Sequence, residues 1–219
     1  APRLARAALL PLHWARRNTR RGSRRNIAAH YDLGNEFFAL FLDPTLTYSC
    51  GLFETPTATL EEASIAKYER ACRWLDLGSA DHVLEIGTGW GGFAMYAASR
   101  YGCRVTTTTI SREQHALARE RVAAAGLADR IELRFEDYRA LRGQFDKLVS
   151  IETIEAVGHA NLPAYFGACA DRLSPDGAML LQAITMPDRD YPEYLASVDY
   201  IQRYVFPGSS LPSLGAITG

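Results

Sequence analysis

Several features are absent from this sequence of 219 residues, and each absence narrows the class of protein. No stretch approaches the roughly 20 consecutive apolar residues that a helix needs to cross a bilayer. The four cysteines, Cys50, Cys72, Cys103 and Cys169, form no C-x-x-C pair. This spacing favours reduced thiols in a cytoplasmic compartment over a disulfide framework or a zinc site. Repeats and low-complexity tracts are also lacking. We therefore expect one globular domain without a metal site.

Acidic residues are absent from the first 25 positions, which hold eight arginines. All 25 acids of the chain lie beyond this segment. A short apolar patch over residues 7–14 is interrupted by Pro11 and His13, so it is too short and too polar for a signal peptide. A basic arm with apolar residues is typical of a surface that contacts an anionic bilayer. The alternatives are a solvated tail and nucleic-acid binding. Of these, we do not expect nucleic-acid binding.

After the arm, short apolar runs alternate with helical patterns. Strands are predicted over residues 82–87, 103–110, 130–135, 147–151 and 178–184. Helices are predicted over residues 59–77, 111–125 and 162–173. This alternation predicts an α/β fold with a doubly wound, mostly parallel sheet. No strand is predicted after residue 191, so we expect the sheet to be incomplete at its C-terminal side. The predicted domains are the arm, 1–25, and the folded unit, 26–219.

A glycine-rich turn follows the first predicted strand. The stretch LEIGTGWGG places four glycines between residues 87 and 92, ahead of a helix, where a ligand can approach the backbone closely. Taken alone, the turn also fits a dinucleotide site or a structural turn. An NAD site would favour an acid at the end of the second strand, but that strand ends in Thr107-Thr108-Thr109. Glu85 instead makes the turn similar to the E-x-G-x-G-x-G turn of class I methyltransferases.

Seven sequence pieces occur in a fixed order: HYDLGNEFF (30–38), LDPTLTYSCGLF (42–53), EIGTGWGG (85–92), TISREQ (109–114), EDYRAL (136–141), VSIETIEAVG (149–158) and YVFPGSSLPS (204–213). Together they resemble the cyclopropane-fatty-acid-phospholipid and mycolic acid cyclopropane synthases. The resemblance implies a Rossmann-like class I methyltransferase fold. It also implies methyl transfer from S-adenosylmethionine (SAM) to a double bond in an unsaturated phospholipid acyl chain, forming a cyclopropane. We expect a cytoplasmic enzyme, peripheral at the inner membrane face. The sequence leaves the oligomeric state undecided, and a homodimer is one candidate.

By residue matching, the resemblance assigns a SAM-binding set: Tyr48, Ser49, Val83, Leu84, Glu85, Ile86, Gly87, Thr88, Gly89, Trp90, Gly91, Thr109, Gln114, Glu136 and Asp137. In this set Tyr48 and Ser49 close over the donor, and residues 83–91 cradle its amino-acid part. Gln114 takes the ribose, and residues 136–137 lie beside the adenine. Tyr48 also fits a core aromatic residue, Gln114 a helix-capping residue and Asp137 a turn acid.

Two carboxylates, Glu152 and Glu155, stand among apolar residues in the stretch SIETIEAVGH. Acids are rare in such surroundings unless something needs their charge. Methyl addition to an alkene leaves a carbocation, which an aromatic face such as that of Tyr48 stabilises. A base must then remove a proton to close the ring. The resemblance implies bicarbonate as that base, held by Glu155 and by the backbone amides of Cys50 and Ile184. We expect Glu152 to be only a nearby hydrogen-bonding group.

Two departures from the family pattern fall near this site. Ala156 stands where the family usually has a histidine, and Gln182 where the bacterial phospholipid enzymes have a histidine that helps to hold bicarbonate. We expect the Gln182 amide to donate a hydrogen bond to bicarbonate instead, and to hold it more weakly. Three other outcomes stay open: methylation without ring closure, N-methylation of a small amine by a coclaurine-type enzyme, and binding of lipid or SAM without catalysis.

Overall fold

The computed structural model describes residues 18–31 and 33–219, and its centre is a sheet of five parallel strands. The strands are β1 His82–Ile86, β2 Arg104–Thr109, β3 Ile131–Phe135, β4 Phe145–Ile151 and β5 Leu173–Gln182. Their order in the sheet is β3-β2-β1-β4-β5. The chain therefore reverses its direction of winding between β1 and β4. In such sheets, ligands bind in the crevice at the carboxyl ends of the strands on either side of this reversal.

Helices flank the sheet or pack beside its carboxyl edge. They are α1 Arg20–Tyr31, α2 Asn35–Ala39, α3 Leu60–Trp74, α4 Gly92–Tyr101, α5 Arg112–Ala124, α6 Leu162–Arg172, α7 Tyr191–Leu195 and α8 Leu214–Thr218. Local chemistry sets several of these boundaries. Thr59 and Glu62 form a reciprocal capping box at the start of α3, and Ser111 accepts a hydrogen bond from the Gln114 backbone at the start of α5. Gly102 ends α4 in a left-handed conformation.

The core has one hydrophobic cluster on each face of the sheet. Adjacent strand residues point to opposite faces, so Val83 belongs to the cluster under α3 and α4, while Leu84 belongs to the cluster that includes Tyr165 of α6. Both β1 side chains have no exposed surface. Burying a side chain of this size contributes about 1.5–3 kcal/mol. Within the described residues, no helix is both long and apolar enough to cross a membrane.

The predicted strands are all present, but β5 starts five residues earlier than the sequence suggested. Leu173 already pairs with Phe145, across an irregularity in register before Lys147. Pro175, Asp176 and Gly177, residue types common in turns, lie within this long edge strand at the irregularity in register. An edge strand tolerates a proline, which donates no hydrogen bond. After β5, the described residues form short helices and turns and no further named strand.

The N-terminal boundary also differs from the prediction, because residues 18–25 belong to the folded unit. Asn18 is buried, and its side-chain amide donates hydrogen bonds to the carbonyl oxygens of Ala156 and Gly208, at 2.8 and 2.7 Å. Helix α1 then begins at Arg20, before the predicted end of the arm. The rest of the predicted arm, residues 1–17, lies outside the described residues.

Candidate functional site

A pocket opens at the carboxyl ends of β1, β2 and β4, with about 1130 Å³ of empty space including its open mouth. Twelve residues of the predicted SAM-binding set line it: Tyr48, Ser49, Glu85, Ile86, Gly87, Thr88, Gly89, Trp90, Thr109, Gln114, Glu136 and Asp137. Val83 and Leu84 do not, because they are buried in the two core clusters. Gly91 is also absent from the lining. It is the N-cap residue of α4, directly before Gly92, and packs beside Ala118.

Glu85 supplies a buried carboxyl group to this pocket. Its side chain is only 3% exposed and accepts a hydrogen bond from the Thr107 hydroxyl. Burial raises the pKa of Glu85 to about 7, against the opposing effect of the Thr107 and Thr88 hydroxyls. A ligand with a positive group, such as the ammonium of an amino acid, would favour the ionised form. Glu85 is therefore suited to hold the amino-acid end of a ligand.

The raised pKa of Glu85 predicts that the stability of the ligand-free protein depends on pH. In the folded protein the pKa of Glu85, about 7, lies above the usual glutamate value of 4.5. Folding therefore takes up a proton at a pH between these two values. Stability should fall as pH rises through this window, by roughly 3 kcal/mol in total. Urea unfolding at pH 5 and pH 8 measures this change. The variant Glu85→Gln should lose it, and an equal pH dependence in both proteins would contradict the assignment.

The glycine turn leaves room for a ligand beside its backbone. Gly87 and Gly89 both have positive φ, at 95° and 53°. A side chain at Gly87 would collide with Thr153, whereas nothing lies within 4 Å of the equivalent position at Gly89. Thr88 is buried and lines the pocket, where its hydroxyl acts on the Glu85 carboxyl group.

Buried threonines of β2 connect the polar groups along this edge. The hydroxyl of Thr106 donates to Glu132, that of Thr107 to Glu85, and that of Thr108 to the backbone oxygen of Glu136. The hydroxyl of Thr109 donates to the side-chain oxygen of Gln114 at 2.9 Å. Gln114 lines the pocket and stands at the third position of α5, where its backbone N–H donates to the Ser111 hydroxyl. Its side chain is bonded to Thr109 and does not cap the helix, so the capping interpretation holds only for its backbone.

At the far side of the pocket, Asp137 has two structural partners. Its carboxylate forms a bidentate ion pair with Arg139, at 2.8 and 2.6 Å, and caps the short helix that begins at Tyr138. Arg139 also donates to the backbone oxygen of Asn18, which ties the start of the folded unit to this side of the pocket. Asp137 is therefore the turn acid that the sequence offered as an alternative, and its neighbour Glu136 lines the pocket with it.

Two carboxylates lie at the carboxyl end of β4. Glu152 accepts hydrogen bonds on Oε1 from the backbone N–H of Cys50 at 2.9 Å and from the Gln182 side-chain amide at 2.7 Å. Glu155 accepts one on Oε1 from the backbone N–H of Ile184 at 2.6 Å. Its Oε2 is buried without a hydrogen-bond partner among the described residues. Burial raises the pKa of Glu155, and the charge of Glu152 acts in the same direction.

These contacts change the expected role of Glu152. The structure gathers Cys50, Gln182, Ile184 and Glu155 as predicted, but the amides expected on bicarbonate donate to the two glutamates instead. Glu152 is the shared acceptor for two elements distant in sequence, which the sequence analysis did not anticipate. The parallel pairing of β4 with β5 accounts for this contact. Ile151, the last residue of β4, lies opposite Gln182, so Glu152, the residue that follows, lies beside that amide.

Aromatic rings cover the pocket next to the carboxylates. Tyr48 lies 5.3 Å from Phe38 and 6.4 Å from Phe206, measured between ring centroids, and stacks on His30. Tyr48 is 37% exposed, so it is not a core residue. Burial raises its pKa, and the charge of Glu152 adds to the effect. His30 donates from Nδ1 to the Val205 carbonyl, which assigns it a structural contact. Neutral aromatic faces at this position suit a hydrocarbon chain or a cation.

Comparison with known proteins identifies the family to which the chain is similar. Residues 18–219 match the model of the mycolic acid cyclopropane synthetase family. The chain is 45% identical over 224 residues to the tuberculostearic acid methyltransferase UfaA1 of Mycobacterium tuberculosis, covering 94% of this chain and 52% of that protein. It is 40% identical over 189 residues to the cyclopropane-fatty-acyl-phospholipid synthase of Escherichia coli, covering 86% and 47%.

Solved structures agree with this comparison. The mycolic acid cyclopropane synthase CmaA1, complexed with SAH and CTAB, superposes with a TM-score of 0.81 at 34% identity, covering 89% of this chain and 71% of that one. The chain spans about half the length of the curated relatives it matches. The class I methyltransferase fold predicted from the sequence is confirmed.

Proposed function

Because the chain belongs to the mycolic acid cyclopropane synthetase family, we propose that it transfers a methyl group from SAM to the double bond of an unsaturated lipid acyl chain. One observation carries the proposal: a pocket with a buried acid and a glycine turn has Glu152 and Tyr48 in its wall, and Glu155 follows three residues after Glu152 with its carboxylate on the Ile184 amide. The first half of this arrangement suits the methyl donor. The second half suits a reaction that passes through a cation and ends with loss of a proton.

The pocket residues fit SAM. Glu85 would hold the ammonium of its methionine part, and the open backbone face of Gly89 would let that part approach. Gln114 would hydrogen-bond the ribose, and Glu136 would lie beside the adenine. When bound, SAM supplies a methyl group on a positively charged sulfur. The chain's own contribution is to exclude water and align the acyl carbon with that methyl, because an alkene is a weak nucleophile.

After methyl addition, the neighbouring acyl carbon carries a positive charge. The ring of Tyr48 is placed to stabilise it, since it is partly exposed and lines the same pocket. To form a cyclopropane, a proton must leave the added methyl while its bonding electrons close the ring. Glu155 is the proposed acceptor site for this proton, either directly through its unpartnered Oε2 or through bicarbonate that it holds. Bicarbonate on the Cys50 and Ile184 amides would have to displace the two glutamates.

Methylation without ring closure is the second candidate, and the hydrogen bond from Gln182 to Glu152 favours it. A glutamine carries no charge, so no cation at this position holds an anionic base. Slower removal of the proton leaves time for a hydride to move to the cation and form a more substituted one, which then loses a proton as a methylene branch. The 45% identical UfaA1 is named for a methyl-branched product.

A reconstituted reaction tests the proposal. The protein is incubated with SAM and vesicles of an unsaturated phospholipid, and the fatty acids are examined by mass spectrometry and by proton NMR. Both candidate products have the same mass, so the high-field ring protons or the vinylidene protons distinguish them. Calorimetry with SAM and with NADH provides the control for the donor. Binding of NADH without binding of SAM would overturn the proposal, as would a soluble amine as the only methyl acceptor.

We also propose that α1 brings this enzyme to an anionic membrane surface, as a peripheral cytoplasmic protein. Arg20, Arg21 and Arg24 line a second hollow with Arg134, beside Phe135. The three α1 arginines are exposed, and each would contribute about 1 kcal/mol near an anionic surface, less at high salt.

The membrane proposal predicts a loss of vesicle binding when the charge of α1 is removed. Deleting residues 1–25 would also remove the buried Asn18, so substitutions are the better test. The triple variant Arg20→Gln, Arg21→Gln, Arg24→Gln should sediment with anionic vesicles about 100-fold more weakly at low salt. The matched control neutralises three exposed arginines on other helices: Arg70, Arg100 and Arg119. Equal losses in both triple variants would show that only net charge matters.

A further inference from the structure

Glu152 has a backbone conformation that glycine would adopt more readily. Its φ is +45°, in the left-handed region, and Leu46 and Asp76 are the other non-glycine residues with positive φ in the described ranges. Non-glycine residues rarely adopt this conformation, and where they do, the surrounding contacts have to hold them in it. The contacts here are specific, because the Glu152 backbone N–H donates to the carbonyl of Gln182 at 2.9 Å. The strained backbone aims a carboxylate into the pocket.

The position of that carboxylate is fixed from two sides. The backbone N–H of Cys50, in the segment that carries Tyr48, and the side-chain amide of Gln182, at the end of β5, both donate to Oε1 of Glu152. The Gln182 amide also lies 3.1 Å from the sulfur of Cys50. The neutral Gln182 brings no opposing charge to the carboxylate. The arrangement therefore presents a negative charge at the pocket wall beside Tyr48.

The charged groups around Glu152 leave this negative charge available to a ligand. Lys67 is the nearby cation, and its charge attracts that of Glu152. Its ammonium donates to the Ser49 hydroxyl, however, and no ion pair joins Lys67 to Glu152 in the part of the chain that the structure describes. The remaining neighbours in electrostatic contact are Tyr31, Tyr48, Cys50 and Glu155. None of these four supplies a positive charge.

We propose that Glu152 is a charge-recognition residue that favours the positively charged sulfonium of SAM over the neutral thioether of its product, SAH. The inference rests on the proposed function for the identity of the donor. Methyl transfer converts the sulfonium into a thioether, so a carboxylate facing the sulfur loses its attraction once the methyl has left. Glu152 then promotes exchange of product for donor.

The test compares the affinities of the two compounds in one protein. Calorimetry with SAM and with SAH is performed on the wild type and on Glu152→Gln, which keeps a hydrogen-bond acceptor for Cys50 and Gln182. The variant should bind SAM about tenfold more weakly while its SAH affinity changes by less than about twofold, as expected for one charge pair at a few ångströms in a protein. Glu120→Gln, which neutralises an exposed glutamate on α5, serves as the matched control and should change neither affinity.

A second variant separates the effect of the charge from the effect of the strained backbone. Glu152→Gly relaxes the positive φ and removes the charge, so it should lose the preference for SAM by the same factor even if Glu152→Gln folds poorly. Parallel weakening of SAM and SAH in both variants, or no change in either, would overturn the inference and leave the proposed function standing. Failure of the wild type to bind either compound would overturn the proposed function and the inference together.

Discussion

Replacing Glu155 with glutamine should lower product formation by about 10²–10⁴-fold while leaving SAM affinity within about twofold. The expected loss arises because the buried Oε2 of Glu155 is the proposed site for the departing proton, and an amide cannot accept it. SAM binding should survive, since Glu155 is not part of the pocket lining. Product is measured by mass spectrometry and binding by calorimetry. Glu54→Gln, at an exposed position, is the matched control.

Bicarbonate dependence decides how Glu155 performs this step. If bicarbonate carries the proton, added bicarbonate should raise the wild-type rate, and Gln182→His should reach the same rate at a lower concentration. If Glu155 acts directly, the rate should not respond to bicarbonate. A Glu155→Gln variant that forms product at the wild-type rate would show that the buried carboxyl has another purpose.

Replacing Gly87 with alanine should lower the free energy of unfolding by about 2–4 kcal/mol and abolish measurable SAM binding. The new methyl would collide with the side chain of Thr153, and the residue would be held at a φ of 95° that alanine disfavours. Gly89→Ala is the matched control, because its φ is also positive but its side-chain position is open. Urea unfolding of both variants measures the difference.

A second substitution separates the collision from the backbone strain. Thr153→Ala removes the hydroxyl and methyl that Gly87→Ala would strike, so the double variant should regain part of the lost stability. The part that remains lost reports the strain of the positive φ. If Gly87→Ala and Gly89→Ala are equally stable, the close contact between the turn and Thr153 does not constrain the protein.

Local patterns were sufficient to predict the sheet and the glycine turn. β-branched runs identified β1 and β2, and the capping residues of α3 and α5 mark helix starts by side-chain chemistry that depends on neighbours three residues away. Features set by distant contacts were missed. Helix α1 is anchored through Asn18 to carbonyls 138 and 190 residues away, which no local pattern of a basic segment reveals.

As with the fold, only part of the site's geometry was predicted from the sequence. Residue matching placed twelve donor-site residues on the pocket wall, but it also included Val83 and Leu84, whose burial follows from strand alternation. The sequence analysis treated Glu152 as only a nearby hydrogen-bonding group. The hydrogen bonds of Glu152 depend on the register of β4 with β5 and on a positive φ, neither of which the sequence displays.

The threonine-rich end of β2 has a consequence for how the protein tolerates change. Valine has nearly the shape of threonine and a strong preference for strands, so a hydropathy-guided redesign would convert residues 106–109 into an ordinary apolar run. The exchange is not neutral, because it removes a hydroxyl from a buried position. Thr107→Val would leave the buried Glu85 without that donor, and Thr109→Val would release Gln114. A redesign that stabilises the core in this way would remove the hydrogen bonds that position Glu85 and Gln114, so these threonines should be kept in engineering of this protein.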